Sequence, residues 1–298
     1  MTDAVVITNP KASRVERGAL DRAVEYLRRG GLHLEVRPTA SAGHGETLAR
    51  EAVAEGARLL IAHGGDGTIM EVAAGLVGSG VPLGLLPAGT GNRLADNLGI
   101  GWAGRDATAV ILAGKRRALD LGRLTTSEGV RYFAVTAGCG FDAELMHRTD
   151  SAQKRELGIG AYLAAALRMG VTIPRAEVRV ETDCGVLEGP AAMILVANCG
   201  GIIPLGSPMA PRIRPDDGFF DILLVDAGNL ANAALVGLRL VMGEADRDEA
   251  VTMLRGTRVA VTADPPMPVQ ADGEPHGTTP FTAELIAGGL TVLAPPQP

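Results

Sequence analysis

Leu59-Leu60-Ile61-Ala62-His63-Gly64-Gly65-Asp66-Gly67-Thr68 is the stretch that decides the fold of this 298-residue chain. An apolar run stops at a glycine-rich turn, and a helix-like segment follows over residues 69–77, which reads as strand, turn, helix. At such a junction the free backbone N–H groups and the helix dipole favour an anion. Gly64, Gly65 and Gly67 let a bulky anion approach the backbone, because no Cβ stands in the way. An aspartate in the middle of a phosphate cradle makes little sense for an anion alone. It makes good sense if a divalent cation bridges carboxylate and phosphate. The plainer reading is an ordinary glycine turn with a capping Asp66.

The neighbouring segments repeat the pattern. Ala4-Val5-Val6-Ile7 is a buried strand ended by Thr8-Asn9-Pro10, and leucine and valine positions at helical spacing fill residues 15–29 before Gly30-Gly31. A second strand is expected over 32–36, a small-residue loop over 39–45 and a helix over 46–55. After the glycine turn and its helix, Pro82-Leu83-Gly84-Leu85-Leu86 reads as a fourth strand. It ends in a second glycine turn, Pro87-Ala88-Gly89-Thr90-Gly91-Asn92, followed by another helical stretch. Strands alternating with helices predict a parallel sheet flanked by helices, with ligands beyond the carboxyl ends of the strands.

Near Asp120 the character changes. Residues 131–136, 175–182, 186–188, 193–197, 219–225 and 258–263 read as short strands, with hairpin signals at Glu128-Gly129 and Cys184-Gly185. Helices are expected only over 161–169 and 230–242. The expectation is therefore an α/β N-terminal domain over 1–122 and a mainly antiparallel β domain over 123–298, a sandwich or an irregular barrel. The last residues, about 286–298, are expected to pack back onto the first domain.

Composition excludes several classes. Aromatics make up 3% of the chain and the formal net charge is -6, so neither base stacking nor phosphate-backbone attraction is favoured and no nucleic-acid partner is expected. Cys139, Cys184 and Cys199 show no metal or disulfide spacing, which fits a reducing compartment. Met1-Thr2-Asp3 is not followed by a signal-peptide pattern, and no apolar stretch reaches the roughly 20 residues of a membrane span. A cytoplasmic protein is expected, one that would meet a membrane only from the side, at its inner face. A homodimer is compatible with the sequence.

Several further segments complete a recognisable set. Asn9-Pro10, Thr39 with Gly43-His44, Gly64 to Thr68 with Glu71, and Pro87 to Asn92 occur in that order. They are followed by Leu119-Asp120-Leu121-Gly122, Gly138-Cys139-Gly140-Phe141-Asp142, Pro215-Asp216-Asp217-Gly218-Phe219 and Gln270-Ala271-Asp272-Gly273-Glu274-Pro275. Together they resemble the diacylglycerol kinase catalytic-domain family, bacterial lipid kinases related to sphingosine and ceramide kinases, over nearly the full length. Two departures stand out. Lys11-Ala12-Ser13-Arg14 lacks the glycine usual after Asn-Pro, and Arg93-Leu94-Ala95 replaces an acidic and an aromatic residue.

The resemblance implies an NAD-kinase-like first domain and transfer of a phosphoryl group from ATP to a lipid hydroxyl in a cleft between two domains. Gly64, Gly65 and Gly67 would hold the phosphates, with Asn9, Thr39, Thr68, Thr90 and Asn92 contacting the nucleotide. Asp66 and Asp120 would hold catalytic Mg2+, directly or through water. Glu274 would take the proton of the lipid hydroxyl, with Asp66 the alternative base. A structural Mg2+ would rest on the Asp217 side chain and on carbonyls of Arg214 and Phe219. Asp142 and Glu144 are candidates for the lipid head group, and Ile202-Ile203-Pro204-Leu205 and Tyr162-Leu163 for an apolar rim.

Each motif has a plainer rival. Asp272-Gly273 and Asp216-Asp217-Gly218 are common turn sequences, and Asn9 is a natural strand terminator before proline. The rival functions are an NAD kinase, which shares the glycine turn, and a non-catalytic nucleotide or lipid sensor of the same fold.

Overall fold

A computed structural model describes residues 4–12, 18–101, 104–140, 174–201, 213–228 and 249–296, together with 232, 236 and 239. Asp142, Glu144, Tyr162-Leu163 and Ile202-Ile203-Pro204-Leu205 lie outside the described residues, as do the helix expected over 161–169 and most of that over 230–242. The chain divides into two compact units, Met1–Leu121 with Ala287–Pro298, and Gly122–Ile286.

In the first unit, strands β1 (Ala4–Thr8), β2 (Leu34–Pro38), β3 (Leu59–Gly64) and β4 (Leu83–Pro87) are parallel, in the order β2-β1-β3-β4. β1 and β3 are buried along their whole lengths, which is why they read as unbroken apolar runs. Helices α1 (Ala19–Arg29), α2 (His44–Ala54), α3 (Asp66–Leu76), α4 (Arg93–Asn97) and α5 (Gly104–Ala113) complete the α/β pattern. α1 turns its Val24 and Leu27 inward and ends at Gly30, as the sequence indicates. α3 starts three residues earlier than expected, so Asp66, Gly67 and Thr68 form its first turn.

Within the second unit, β7 (Thr136–Gly140), β10 (Met193–Ala197), β11 (Phe220–Val225), β12 (Val251–Gly256), β14 (Pro268–Ala271) and β15 (Glu274–Thr278) form an antiparallel sheet. Its order is β12-β11-β10-β7-β14-β15. The start of β16 (Phe281–Leu293) pairs with β13 (Arg258–Asp264), β13 with β8 (Ala176–Thr182) and β8 with β9 (Gly185–Ala191), all antiparallel, and β5 (Arg116–Thr126) forms a hairpin with β6 (Gly129–Phe133). Side chains from these strands meet in one core that includes Leu124, Val180, Ile194, Val196, Ile222 and Val261. The result is a sandwich rather than a barrel. β8 alternates buried and exposed residues, so one of its faces meets solvent. β11 is buried throughout, because Leu223 and Val225 enter a second cluster with Leu195 and Ile213 on its other face.

Two expectations need correction. Residues 131–136 are not one strand: β6 ends at Phe133 and β7 begins at Thr136, for a reason given below. β16 is a 13-residue strand absent from the sequence-based expectations, and Gly288-Gly289 in its middle weakens its strand pattern. Gly288 has φ 59, yet the strand continues and its Val292 pairs in parallel with Leu83 of β4.

Phe133 and Phe220 are fully buried and stack with ring centroids 5.4 Å apart at the heart of the sandwich. Removing one ring leaves a cavity that a close-packed core cannot fill. Phe133→Ala is expected to cost about 3–5 kcal/mol. In a scanning calorimeter this should appear as a midpoint lower by on the order of 10 °C.

Candidate active site

The carboxyl ends of β1, β3 and β4 are fastened to one another by backbone and side-chain contacts. Asn9 N–H donates to the His63 carbonyl at 3.0 Å, and Ala88 N–H donates to the Gly64 carbonyl at 2.8 Å. The Asn9 side chain donates to Thr68 Oγ1 at 3.2 Å and accepts the Lys11 N–H through Oδ1. Thr39 N–H donates to the Thr8 carbonyl at 2.8 Å. The loop that follows is held by Glu71, whose carboxylate accepts the Gly43 N–H at 2.8 Å and the Gly45 N–H at 2.9 Å. Asn9, Thr39, Gly64 and Thr68 therefore share one end of the sheet.

The two glycine turns touch. A Cβ on Gly89 would lie 2.5 Å from the Gly65 Cα, so this contact tolerates hydrogen alone. Gly65 caps α3 without a side chain, which leaves the first N–H groups of that helix, on Asp66, Gly67 and Thr68, without intrahelical acceptors. Thr90 is exposed in the second turn. Asn92 is 1% exposed, and its side-chain amide is consumed within the turn. Its Oδ1 accepts the Gly89 N–H at 2.9 Å and its Nδ2 donates to the Gly89 carbonyl at 2.8 Å. Its φ of 50 completes the picture of a turn-former whose amide is spent inside the protein.

Asp66 joins the two turns. Backbone N–H groups of Arg93, Leu94 and Asn92 donate to its carboxylate, and a Cβ on Gly91 would sit 2.7 Å from Oδ2. Its other oxygen, Oδ1, is buried with no hydrogen-bond partner among the described residues. Burial pushes the Asp66 carboxyl above the usual carboxylate range, against the pull of those N–H groups and of the Arg93 charge. A buried carboxylate oxygen without a donor is costly, and a cation or a bound donor would relieve it. The residue fits Mg2+ on this ground.

Asp120 is 4% exposed on β5, and its Oδ1 accepts the Gly288 N–H at 2.8 Å. It secures the returning strand β16. Among the described residues no three His, Cys, Asp or Glu side chains cluster as metal ligands.

In the second unit, Glu274 is exposed at the start of β15, immediately after the β14–β15 turn. Asp272 in that turn has φ 48 and takes three backbone donors: Ala134 N–H at 2.8 Å, and Val135 and Thr136 N–H at 2.9 Å each. Its own N–H donates to the Thr136 carbonyl. Asn198 takes the opposite side of the same segment, donating from Nδ2 to the Ala134 carbonyl and from its N–H to the Val135 carbonyl. This grip interrupts the strand expected over 131–136, since the backbone groups there bond to side chains and loops. The sequence shows Asp272 only as a hairpin residue; what it misses is an acceptor for residues 138 to 136 positions earlier in the chain.

Around the proposed structural metal site, Asp217 Oδ1 accepts the Phe219 N–H at 3.1 Å and Oδ2 pairs with Arg255. Arg214 pairs with Asp216. His63 was also missed: it is buried beside the glycine turn, with Nδ1 2.8 Å from Thr8 Oγ1.

Comparison with known proteins agrees with this architecture. Residues 3–124 match the diacylglycerol kinase catalytic domain, and residues 135–294 match the YegS C-terminal NAD kinase beta sandwich-like domain. A diacylglycerol kinase of Bacillus subtilis is 30% identical over 304 residues, covering 100% of this chain and 98% of the relative. The chain belongs to the diacylglycerol kinase-like family of lipid kinases. A "Probable lipid kinase YegS-like" from Chromohalobacter salexigens is likewise 30% identical, over 98% of this chain and 93% of its own length. A crystal structure from Bacillus anthracis str. Sterne superposes with a TM-score of 0.81 at 26% identity, covering 99% of this chain and 96% of that one. Both halves of the chain are thus matched by domains of the family.

Two measurements probe the first unit. Gly89→Ala should force the two turns apart, costing about 1–3 kcal/mol of stability, read as a lower unfolding midpoint. Burial lowers the His63 pKa, so below the ordinary value of about 6.5 the unfolded chain takes up a proton that the folded one refuses. Stability from this source is present above pH ~6.5 and lost as pH falls, by at most about 1.4 kcal/mol per pH unit. Urea titrations between pH 5 and pH 8 (roughly bracketing that pKa) should show the loss in wild type and a flatter profile in His63→Gln.

Proposed function

We propose that this protein is an ATP- and Mg2+-dependent lipid kinase that phosphorylates the hydroxyl of diacylglycerol or a similar lipid alcohol. The observation that carries the reading is Asp66, whose carboxylate accepts N–H groups of residues 92–94 while its buried Oδ1 has no partner among the described residues, at the N-terminal turn of α3. That arrangement suits a phosphate chain accompanied by a cation better than either partner alone.

In this reading Gly64, Gly65 and Gly67 hold the ATP phosphates by backbone N–H groups, and Thr68, Thr90, Thr39 and Asn9 line the nucleotide. Asn92 shapes the turn that presents Thr90. Asp66 and Asp120 would hold Mg2+, directly or through water, and the ion would offset negative charge on the phosphate oxygens. Glu274 takes the proton as the lipid oxygen attacks the γ-phosphorus and the bond to ADP breaks. Asp272 positions Glu274 by anchoring its turn to residues 134–136. The nucleotide residues of this reading lie in the first unit and the base in the second. The lipid is taken from a membrane surface, the inner face in a cytoplasmic protein. A second assignment of the base, to Asp66, is supported by the burial that raises its pKa.

Incubation with labelled ATP and a panel of diacylglycerol, sphingosine, phosphatidylglycerol and NAD tests the proposal. Label is expected in a lipid, with diacylglycerol the best acceptor. Asp66→Asn and Glu274→Gln should each lower turnover by about 100-fold or more with little change in unfolding midpoint. Near-normal turnover in Glu274→Gln moves the base to Asp66. Label confined to NADP, or no transfer at all, overturns the lipid kinase assignment.

A further inference from the structure

The turn Arg214-Pro215-Asp216-Asp217-Gly218-Phe219, just before β11, carries the carboxylate expected to bind a structural Mg2+. The structure puts a guanidinium there instead. Arg255 on β12 pairs through Nη2 with Asp217 Oδ2. Its Nε lies 3.4 Å from Oδ1 of Asp221, which is 2% exposed. Asp221 and Arg255 face each other directly in the β11–β12 ladder, so the backbone register itself delivers the charge. The guanidinium also sits over the Phe219 ring, 4.8 Å from its centroid. Asp217's remaining oxygen accepts the Phe219 N–H.

These contacts leave Asp217 poorly suited to a divalent ion. Mg2+ demands near-octahedral oxygen ligands and sheds its water reluctantly. To enter, it would have to displace a guanidinium that is always charged, that repels it, and that also serves a buried carboxylate. Binding would displace Arg255 from Asp217 and disturb its contacts with Asp221 and Phe219, in exchange for one carboxylate and two backbone carbonyls. We propose that Arg255 is the resident cation of this turn. It ties the 214–219 segment to β11 and β12, and the second unit folds without a divalent ion. Any Mg2+ dependence of the protein then arises from the first unit and the nucleotide.

The test follows thermal unfolding of the full chain without nucleotide, in EDTA and in excess Mg2+, for wild type, Asp217→Asn, Arg255→Gln and Arg255→Lys. The shift produced by Mg2+, whatever its size, is expected to be the same in wild type and Asp217→Asn. Arg255→Gln is expected to unfold several degrees earlier than wild type in EDTA. A Mg2+-dependent gain in wild type that Asp217→Asn abolishes overturns the proposal, and so does an Arg255→Gln midpoint equal to the wild-type value. Where Arg255→Gln fails to fold, Arg255→Lys, which keeps the charge, has to fold; if the lysine variant fails as well, the proposal falls.

Discussion

An ionisable group held between two glycine turns governs the first unit. Asp66 is drawn toward neutrality by burial and toward ionisation by the N–H groups of residues 92–94 and the Arg93 charge. The contest can be tolerated because the carboxylate is tied on one side only. Gly65 and Gly89 meet without side chains, which brings the ends of β3 and β4 close enough for a single carboxylate to span both turns. A larger residue at either position would separate the turns and strand the charge. Among the described residues, the oxygen left without a donor is the one that the proposed nucleotide complex would use.

Acidic side chains perform similar work elsewhere, as backbone acceptors. Asp272 satisfies three consecutive N–H groups, Glu71 two, and Asp120 one. Asp183 accepts from both the N–H and the hydroxyl of Thr257. A carboxylate can accept several charge-assisted bonds at once, which suits it to irregular segments where the strand ladder lapses. Residues 134–136 show the effect most fully. Asp272 on one side and Asn198 with Cys199 on the other engage their backbone groups, so the chain bends between β6 and β7 without an unsatisfied donor.

The sequence made the first unit legible because its strands are buried on both faces and punctuated by glycine or proline. Helix and strand existence followed from those signals, while the start of α3 did not: glycines at 65 and 67 disguise its first turn as loop. In the second unit, alternation exposed β8, but β12, β14 and β15 lack a strong period, and Gly288-Gly289 concealed β16. At the site, residue types pointed to Asp66 and to the two glycine turns. What could not be read was direction. Nothing in the order of residues says that Asn92 turns its amide inward, that His63 pairs with Thr8, or that an arginine on β12 reaches back to Asp217 and Asp221. Those facts depend on register and on contacts between distant segments.

The path of β16 has a consequence for how the molecule comes into being. Its last residues, with Val292 against Leu83 and Gly288 on Asp120, belong to a unit whose other strands were made more than 160 residues earlier. On a ribosome the N-terminal sheet must emerge with one position unfilled and wait while the whole sandwich is translated. During that interval the flank of β4 is an open template for a stray strand.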